Sequence, residues 1–286
     1  MTKQEKQPAW THRTRRVRAR FPTAHEGPPM RVLVTNDDGL HAPGLHALAS
    51  ALSAAGHDVI ALAPEGDRSG CGAAIGNLGE GSFLRYRSMP LEGLDSVESY
   101  ELDATPALCV FAAHLGAFGP PPDVVASGVN PGLNTGRVTL HSGTVGAVLT
   151  AANLGLPGVA VSIAGSEPSI QHFDVAAELA AEVAAWIVAS GTLSSINLSV
   201  PDVQGTDLKE VKWGQLAPLG AIRTEFLLRT EERVEFGLVP TTASLPSDSD
   251  TALVAQGHPV VTALTGIRGS EPVGLADFLI AAELAT

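Results

Sequence analysis

The sequence predicts an α/β fold with a mostly parallel sheet and a C-terminal β-arm. Three observations carry that expectation. From Met30 onward, short β-branched runs alternate with segments whose apolar residues recur at helical spacing, the pattern of βαβ units with right-handed crossovers. Two of the runs, "DVVASGV" and "GVAVSI", are continuously apolar, as expected of strands covered on both faces. After Pro201 the texture changes to charged, hairpin-like stretches.

The elements follow in chain order. "RVLVT" is a short β-branched strand. "GLHALASALSAAGH" sets Leu45, Leu48, Ala49 and Leu52 at helical spacing. "DVIALAP" is a second strand, closed by Pro64. After "DVVASGV", the stretch "SGTVGAVLTAANLG" reads as a helix that Gly155 ends, and "GVAVSI" as the next strand. "FDVAAELAAEVAAWIVASG" is another helix, followed by the strand "SSINLSV". "EFLLRTEERVEFGLVP" reads as two antiparallel strands around a charged turn, and "GHPVVTAL" as one more. These last strands are expected to form an arm over about 211–264, apart from the main sheet.

Composition sets limits. The chain has 286 residues, room for one large domain or two small ones. Net charge is −12, yet residues 1–29 hold seven Lys/Arg against Glu5 and Glu26, which leaves about −17 on the rest. An acidic body argues against nucleic acid as a partner, since that needs basic surface to displace counterions. The two cysteines, Cys71 and Cys109, make no disulfide framework. With no apolar signal segment, they point to a reducing cytoplasm. No apolar run reaches the length of a membrane span. Residues 1–29 are polar and basic, and they close on Gly27-Pro28-Pro29. They read as a disordered extension, with a single domain over residues 30–286.

In an open parallel sheet, ligands sit beyond the carboxyl ends of the strands. The first strand is followed by "NDDG", the second by "PEGDRSGCG" and "DVVASGV" by "NPGLN", while "SGT" opens the next helix. Taken singly, Asp-Asp-Gly is a turn and Ser-Gly-Thr an N-cap. Four such loops at successive strand ends are harder to explain as turns alone. They are rich in carboxylate, amide and hydroxyl oxygen and poor in His and Cys. That donor set suits Mg²⁺, Mn²⁺ or Ca²⁺ rather than zinc. Adjacent carboxylates at Asp37 and Asp38 repel each other, and a divalent cation between them turns the repulsion into binding. The dinucleotide-binding, P-loop and nucleophile-elbow motifs are all missing.

"RVLVTNDDGLHAPGLHALASAL", "APEGDRSG", "PDVVASGVNPGLNTG" and "HSGTVGAVLTAANLGLPGVAVSI" together resemble the SurE (survival protein E) family of metal-dependent 5′/3′-nucleotidases. The resemblance runs in order from Met30 to about Leu264. It implies a Rossmann-like three-layer core and one divalent cation, Mg²⁺ or Mn²⁺. It implies hydrolysis of nucleoside 5′- and 3′-monophosphates, with short polyphosphate cut by some members. It also implies a homodimer or homotetramer in which the C-terminal arm is exchanged.

Carried over by position, the implied metal ligands are Asp37, Asp38, Ser69 and Asn130. Asn134, Ser142, Gly143 and Thr144 fall where the family contacts phosphate, and Asp37, Asp38 and Asn134 take the catalytic roles. The Thr144 hydroxyl is expected to donate to a phosphate oxygen. The chain departs from the family pattern at Ala104, where Gly is usual. It departs again in "GRVTLHSG", which brings Arg137 and His141 near the site, and in the hydroxyl-poor loop after Ser69. The alternative is a non-catalytic metal- or nucleotide-binding regulatory module. The intact oxygen set argues against it, since a binding-only descendant could lose a ligand freely.

Overall fold

The computed structural model describes residues 28–165, 168–191 and 193–267. The strands are β1 (Arg31–Thr35), β2 (Asp58–Pro64), β3 (Tyr86–Ser88), β4 (Glu98–Leu102), β5 (Val124–Pro131), β6 (Gly158–Ile163), β7 (Ser195–Val200), β8 (Lys212–Trp213), β9 (Ile222–Arg229), β10 (Val234–Pro240) and β11 (Val260–Leu264). The helices are α1 (Pro43–Ala54), α2 (Pro106–His114), α3 (Gly143–Asn153), α4 (Phe173–Ser190) and α5 (Asp250–Ala255), with a 3-10 turn over Gly136–His141.

Nine strands form one sheet in the order β3-β4-β2-β1-β5-β6-β7-β11-β8. The six from β4 to β7 run parallel. Their central residues, such as Val32 to Val34, Ile60 to Ala63 and Val159 to Val161, are buried, as strands covered on both faces must be. Helices α1 and α4 pack together on one face, with Leu45, Leu48, Leu52, Leu179 and Val183 in the core. Helices α2 and α3 cover the other, with Cys109, Val110, Ala147 and Ala151 against Leu33 and Val125. The result is the three-layer α/β architecture expected.

The chain adds β2 and β4 on one side of β1, then crosses to place β5 on the other. That reversal is the topological switch point, where loops diverge and leave a crevice. Asn36 to Gly39 leave β1 there, and Asn130 to Asn134 leave β5.

The C-terminal region differs from the expected arm. The hairpin β9–β10 forms as expected, and among the described residues its two strands pair with each other alone. The "GHPVVTAL" strand instead joins the main sheet: β11 pairs antiparallel with β7, and β8 lines up beside it. The reason is burial, since Val260 and Val261 are shielded in the sheet while the hairpin side chains stay open. The arm proper is therefore the hairpin. The short β3, β4, α2 and α5 carry weak periodicity and were not expected from the pattern. The expectation of a disordered extension falls mostly on residues 1–27, outside the described residues. Among the described residues, no helix is long and apolar enough to cross a membrane.

Candidate active site

Asn36 closes the turn after β1. Its side-chain Nδ2 donates to Gly39 O at 2.9 Å, and its Oδ1 accepts from Gly39 N at 3.2 Å. This reciprocal pair, fully buried, fixes the direction in which Asp37 and Asp38 leave the strand.

Asp37 is 2% exposed. Gly143 N donates to its Oδ2 at 3.1 Å and the Thr144 hydroxyl donates to its Oδ1 at 2.5 Å. The carboxylate thus sits against the first turn of α3, where unpaired N–H groups and the helix dipole favour an anion. Burial pushes the Asp37 carboxyl above its ordinary range, and the Thr144 hydroxyl is the strongest opposing influence. Hydrogen-bond donors rather than a cationic side chain offset the burial.

The expected role of Thr144 changes accordingly. Its side chain is fully buried, and a hydroxyl has one proton to give. That proton is directed at Asp37, with Asn130 Oδ1 the more distant neighbour at 3.3 Å. Thr144 therefore holds Asp37 and lies beside Asn130 rather than standing open to a phosphate. Ser142 is the N-cap of α3, accepting from Val145 N at 3.1 Å. Its hydroxyl is accordingly engaged with the helix.

Two glycines let the loops meet. A Cβ at Gly143 would lie 2.7 Å from Cys71 Sγ and 2.8 Å from Asp37 Oδ2. A Cβ at Gly146 would lie 2.2 Å from Gly72 O. The α3 helix thus presses directly on the loop that carries Ser69. The same loop is tied to Asp37 by Arg68 N donating to Asp37 O at 2.7 Å, and to the 3-10 turn by Gly72 N donating to His141 O at 3.1 Å. Ser69 itself is exposed, and its hydroxyl and backbone N–H hold the Asp67 carboxyl below its ordinary range. Burial, with the Asp37 charge behind it, pushes the Cys71 thiol up.

Asp38 lines a cleft of about 410 Å³ with Gly39 to Pro43, Glu65, Gly66, Asp67 and Glu101. An adjoining groove of about 460 Å³ shares Glu65 and is bordered by Arg85, Tyr86 and Arg87. Those arginines pair with Asp103 and Glu101, and none of the candidate ligands lines that groove. Of the four candidate metal ligands, Asp38 alone lines the first cleft and none lines the second.

Asn130 ends β5, with Nδ2 donating to Gly132 O at 2.6 Å and Oδ1 left toward Thr144. Asn134 is held by its backbone: Asn134 N donates to Ser162 Oγ at 3.0 Å, and Asn197 Nδ2 donates to Asn134 O at 2.7 Å. Among the described residues, its own side-chain Nδ2 is buried with no hydrogen-bond partner. An amide donor in that condition fits a substrate oxygen. Ser162 and Asn197 act at this site without having been singled out from the sequence. Arg137 and His141 lie on the 3-10 turn and are exposed.

The structure therefore joins Asp37, Asn130, Gly143 and Thr144 directly. It ties the Ser69 loop to the same point by the backbone bonds of Arg68 and Gly72, while Ser69 N donates to Asp67 Oδ1 at 2.7 Å. Among the described residues, no group of three His, Cys, Asp or Glu is placed to hold a metal ion. A cation here would rely on two carboxylates with neutral oxygens from Asn130 and Ser69. Such an all-oxygen set fits a hard divalent cation, which keeps several waters and needs few carboxylates.

Comparison with known proteins bears on the family and the fold. The family model described as "Survival protein SurE" matches residues 32–220. A 5′-nucleotidase SurE of Xanthomonas campestris pv. campestris (strain B100) is 39% identical over 181 residues, 63% of this chain and 66% of that protein. Its counterpart in Xanthomonas oryzae pv. oryzae (strain PXO99A) is 38% identical over the same shares. The match thus spans just under two thirds of these relatives' own length. The crystal structure of the SurE protein from Aquifex aeolicus shares the fold, with a TM-score of 0.70 and 24% identity over 88% of this chain and 99% of that one. A matched family model across the crevice-forming core, on a sheet that turns at β1 and β5, makes this chain a member of the SurE family.

Proposed function

We propose that the chain is a metal-dependent phosphatase that hydrolyses nucleoside 5′-monophosphates, and 3′-monophosphates with them, to nucleoside and phosphate. The observation that carries this reading is the meeting of Asp37, Asn130 and the start of α3 at the sheet's switch point. The 5′-nucleotidase relatives support the same chemistry.

Each group has a part in the reading. Asp37, Asp38, Asn130 and Ser69 would hold one Mg²⁺ or Mn²⁺. Such a cation supplies Lewis acidity toward the phosphoryl group and the attacking water. The Asn134 amide donates to a phosphate oxygen, and its locked backbone keeps the donor in place before substrate arrives. The backbone of Ser142 to Thr144 lends the positive end of the α3 dipole. Only two lysines, Lys209 and Lys212, follow residue 29, so neutralisation of phosphate falls to these donors, arginine and the cation.

A homo-oligomer in the cytoplasm belongs to the same reading. The hairpin β9–β10 exposes Phe226, Leu227, Phe236 and Leu238. A two-stranded ribbon open on both faces needs a cover, and a second copy supplies one.

The test is phosphate release from a panel of nucleoside 5′- and 3′-monophosphates and short polyphosphate, before and after EDTA treatment, with Mn²⁺ or Mg²⁺ restored. The reading predicts release that disappears with EDTA and returns with the cation. Binding of nucleotide without release would make the chain a binding module instead.

A further inference from the structure

Asp250 lies in the first turn of α5, far along the chain from every residue of the crevice, and is fully buried. Its Oδ2 accepts from Gly136 N at 2.8 Å, while its Oδ1 accepts from Ala217 N at 2.9 Å and Thr251 N at 2.7 Å. Three backbone donors from three segments converge on one carboxylate. Charge-assisted bonds of this kind are stronger than neutral ones, and a buried carboxylate keeps its place only where donors meet both oxygens.

One of those segments is the site loop. Gly136 stands two residues after Asn134 and adopts φ +63°, a conformation that glycine tolerates and most residues resist. A Cβ there would lie 2.5 Å from Leu219 O. Next to it, Arg137 N donates to Ala217 O at 3.1 Å. The Asn134 loop is thus laid against residues 217–220, and Asp250 ties the two strips together.

Resting on the phosphatase reading above, we infer that Asp250 is a positioning residue for phosphate binding: by holding Gly136 it sets where Asn134 presents its amide. The control differs at the two ends of the loop. Asn130 belongs to β5 and is paired along β6, so the sheet sets its position. Asn134 is pinned by Ser162 and Asn197 at its own backbone, and the chain beyond it is pinned by Asp250. Loss of Asp250 therefore acts on the phosphate end of the site and spares the cation end.

Asp250→Asn separates this role from bulk stability. An amide has one oxygen, which serves the two donors at Ala217 and Thr251, and its NH₂ then faces the Gly136 N–H, where two donors meet. The variant is compared with wild type and with Thr251→Val, which removes the hydroxyl that lies 3.3 Å from both Leu219 O and Asp250 Oδ1 and leaves the bond from Gly136 N to Asp250 Oδ2 in place. KM and kcat for a nucleoside monophosphate, the inhibition constant of inorganic phosphate and the Mn²⁺ activation constant are measured well below each melting temperature. Amide exchange at Gly136 is followed in parallel. Calorimetric binding of inorganic phosphate in the presence of Mn²⁺ reads the same effect without turnover, so an absence of hydrolysis in wild type would count against the phosphatase reading alone.

The expected result is faster exchange at Gly136 and phosphate and KM constants raised about tenfold, with the Mn²⁺ constant within about twofold of wild type. Thr251→Val should leave all of these constants unchanged. If Asp250→Asn does not fold, Gly136→Ala strains the same tie and is expected to give the same split. Faster exchange with unchanged phosphate constants overturns the inference. So does a loss of Mn²⁺ affinity equal to the loss of phosphate affinity, or an equal effect of Thr251→Val.

Discussion

The Thr144 hydroxyl lies 2.5 Å from Asp37 Oδ1, and both side chains are shut away from solvent. The helix that should receive phosphate thus spends its first hydroxyl on a carboxylate of the neighbouring loop. The proposed cation site and the proposed phosphate site therefore share one helix end.

Thr144→Val keeps the shape and removes that donor. A hydrogen bond to a charged group contributes about 1.5–3 kcal/mol, and about 1.4 kcal/mol corresponds to a tenfold change. The variant should weaken Mn²⁺ activation by at least about tenfold, while KM at saturating Mn²⁺ stays near wild type. A raised KM with unchanged cation dependence would return the hydroxyl to the phosphate.

Asp37→Asn should abolish phosphate release with little change in the metal-free fold. Burial disfavours the Asp37 charge, so neutralising it relieves a cost, while the misplaced NH₂ opposite Gly143 N adds one. The melting temperature of the EDTA-treated variant should lie within about 4 °C of wild type, the shift expected of roughly 1 kcal/mol in a chain of this size. Turnover at the wild-type rate would remove Asp37 from the site.

Gly146→Ala tests the packing of the Ser69 loop. The added methyl would fall 2.2 Å from Gly72 O, and a backbone oxygen cannot rotate away as a side chain can. Overpacking of this kind costs about 1–3 kcal/mol. The variant should lose thermal stability and, at a temperature where it remains folded, need more Mn²⁺ for half-maximal rate. An unaltered Mn²⁺ dependence would show that the loop serves no cation.

The reach of the sequence differed sharply between parts of the molecule. Runs with few polar residues marked β1, β2, β5 and β6, as burial on both faces favours, whereas β7 alternates Ser195, Asn197 and Ser199 with Ile196, Leu198 and Val200 although all six are buried. "NDDG" and "SGT" were visible because their residues are neighbours in the chain. The placement of β11 was not visible, since a half-apolar strand fits an edge of the main sheet as well as an arm. The Thr144 hydroxyl was assigned by sequence position, which says nothing of its rotamer. Asn197 and Asp250 act on partners 63 and 114 residues away, a distance no local pattern encodes.

Away from the site, Glu182 on α4 gives a pH signature. Burial raises its carboxyl above the ordinary value of 4.5, with the Glu178 charge adding to the effect. The folded state therefore holds this proton more tightly than the unfolded chain, and stability falls as pH rises through the raised value. Glu182→Gln cannot ionise, so it should melt higher than wild type at pH 7, by about 1–3 °C. The gain should shrink toward pH 4.5 and below. An equal difference at both pH values would show that the charge is not its cause.

Everything proposed for the crevice depends on Asp37, Asp38, Asn130 and Ser69 holding one divalent cation that phosphate release requires. Mn²⁺ is titrated into EDTA-treated protein and the free ion is followed by electron paramagnetic resonance, with phosphate release from a nucleoside 5′-monophosphate measured on the same samples. Saturation is expected at a single Mn²⁺ per chain, with release rising in proportion to occupancy and both lost in Asp38→Asn. Full release from the EDTA-treated protein, or wild-type Mn²⁺ binding and release in Asp38→Asn, would contradict it.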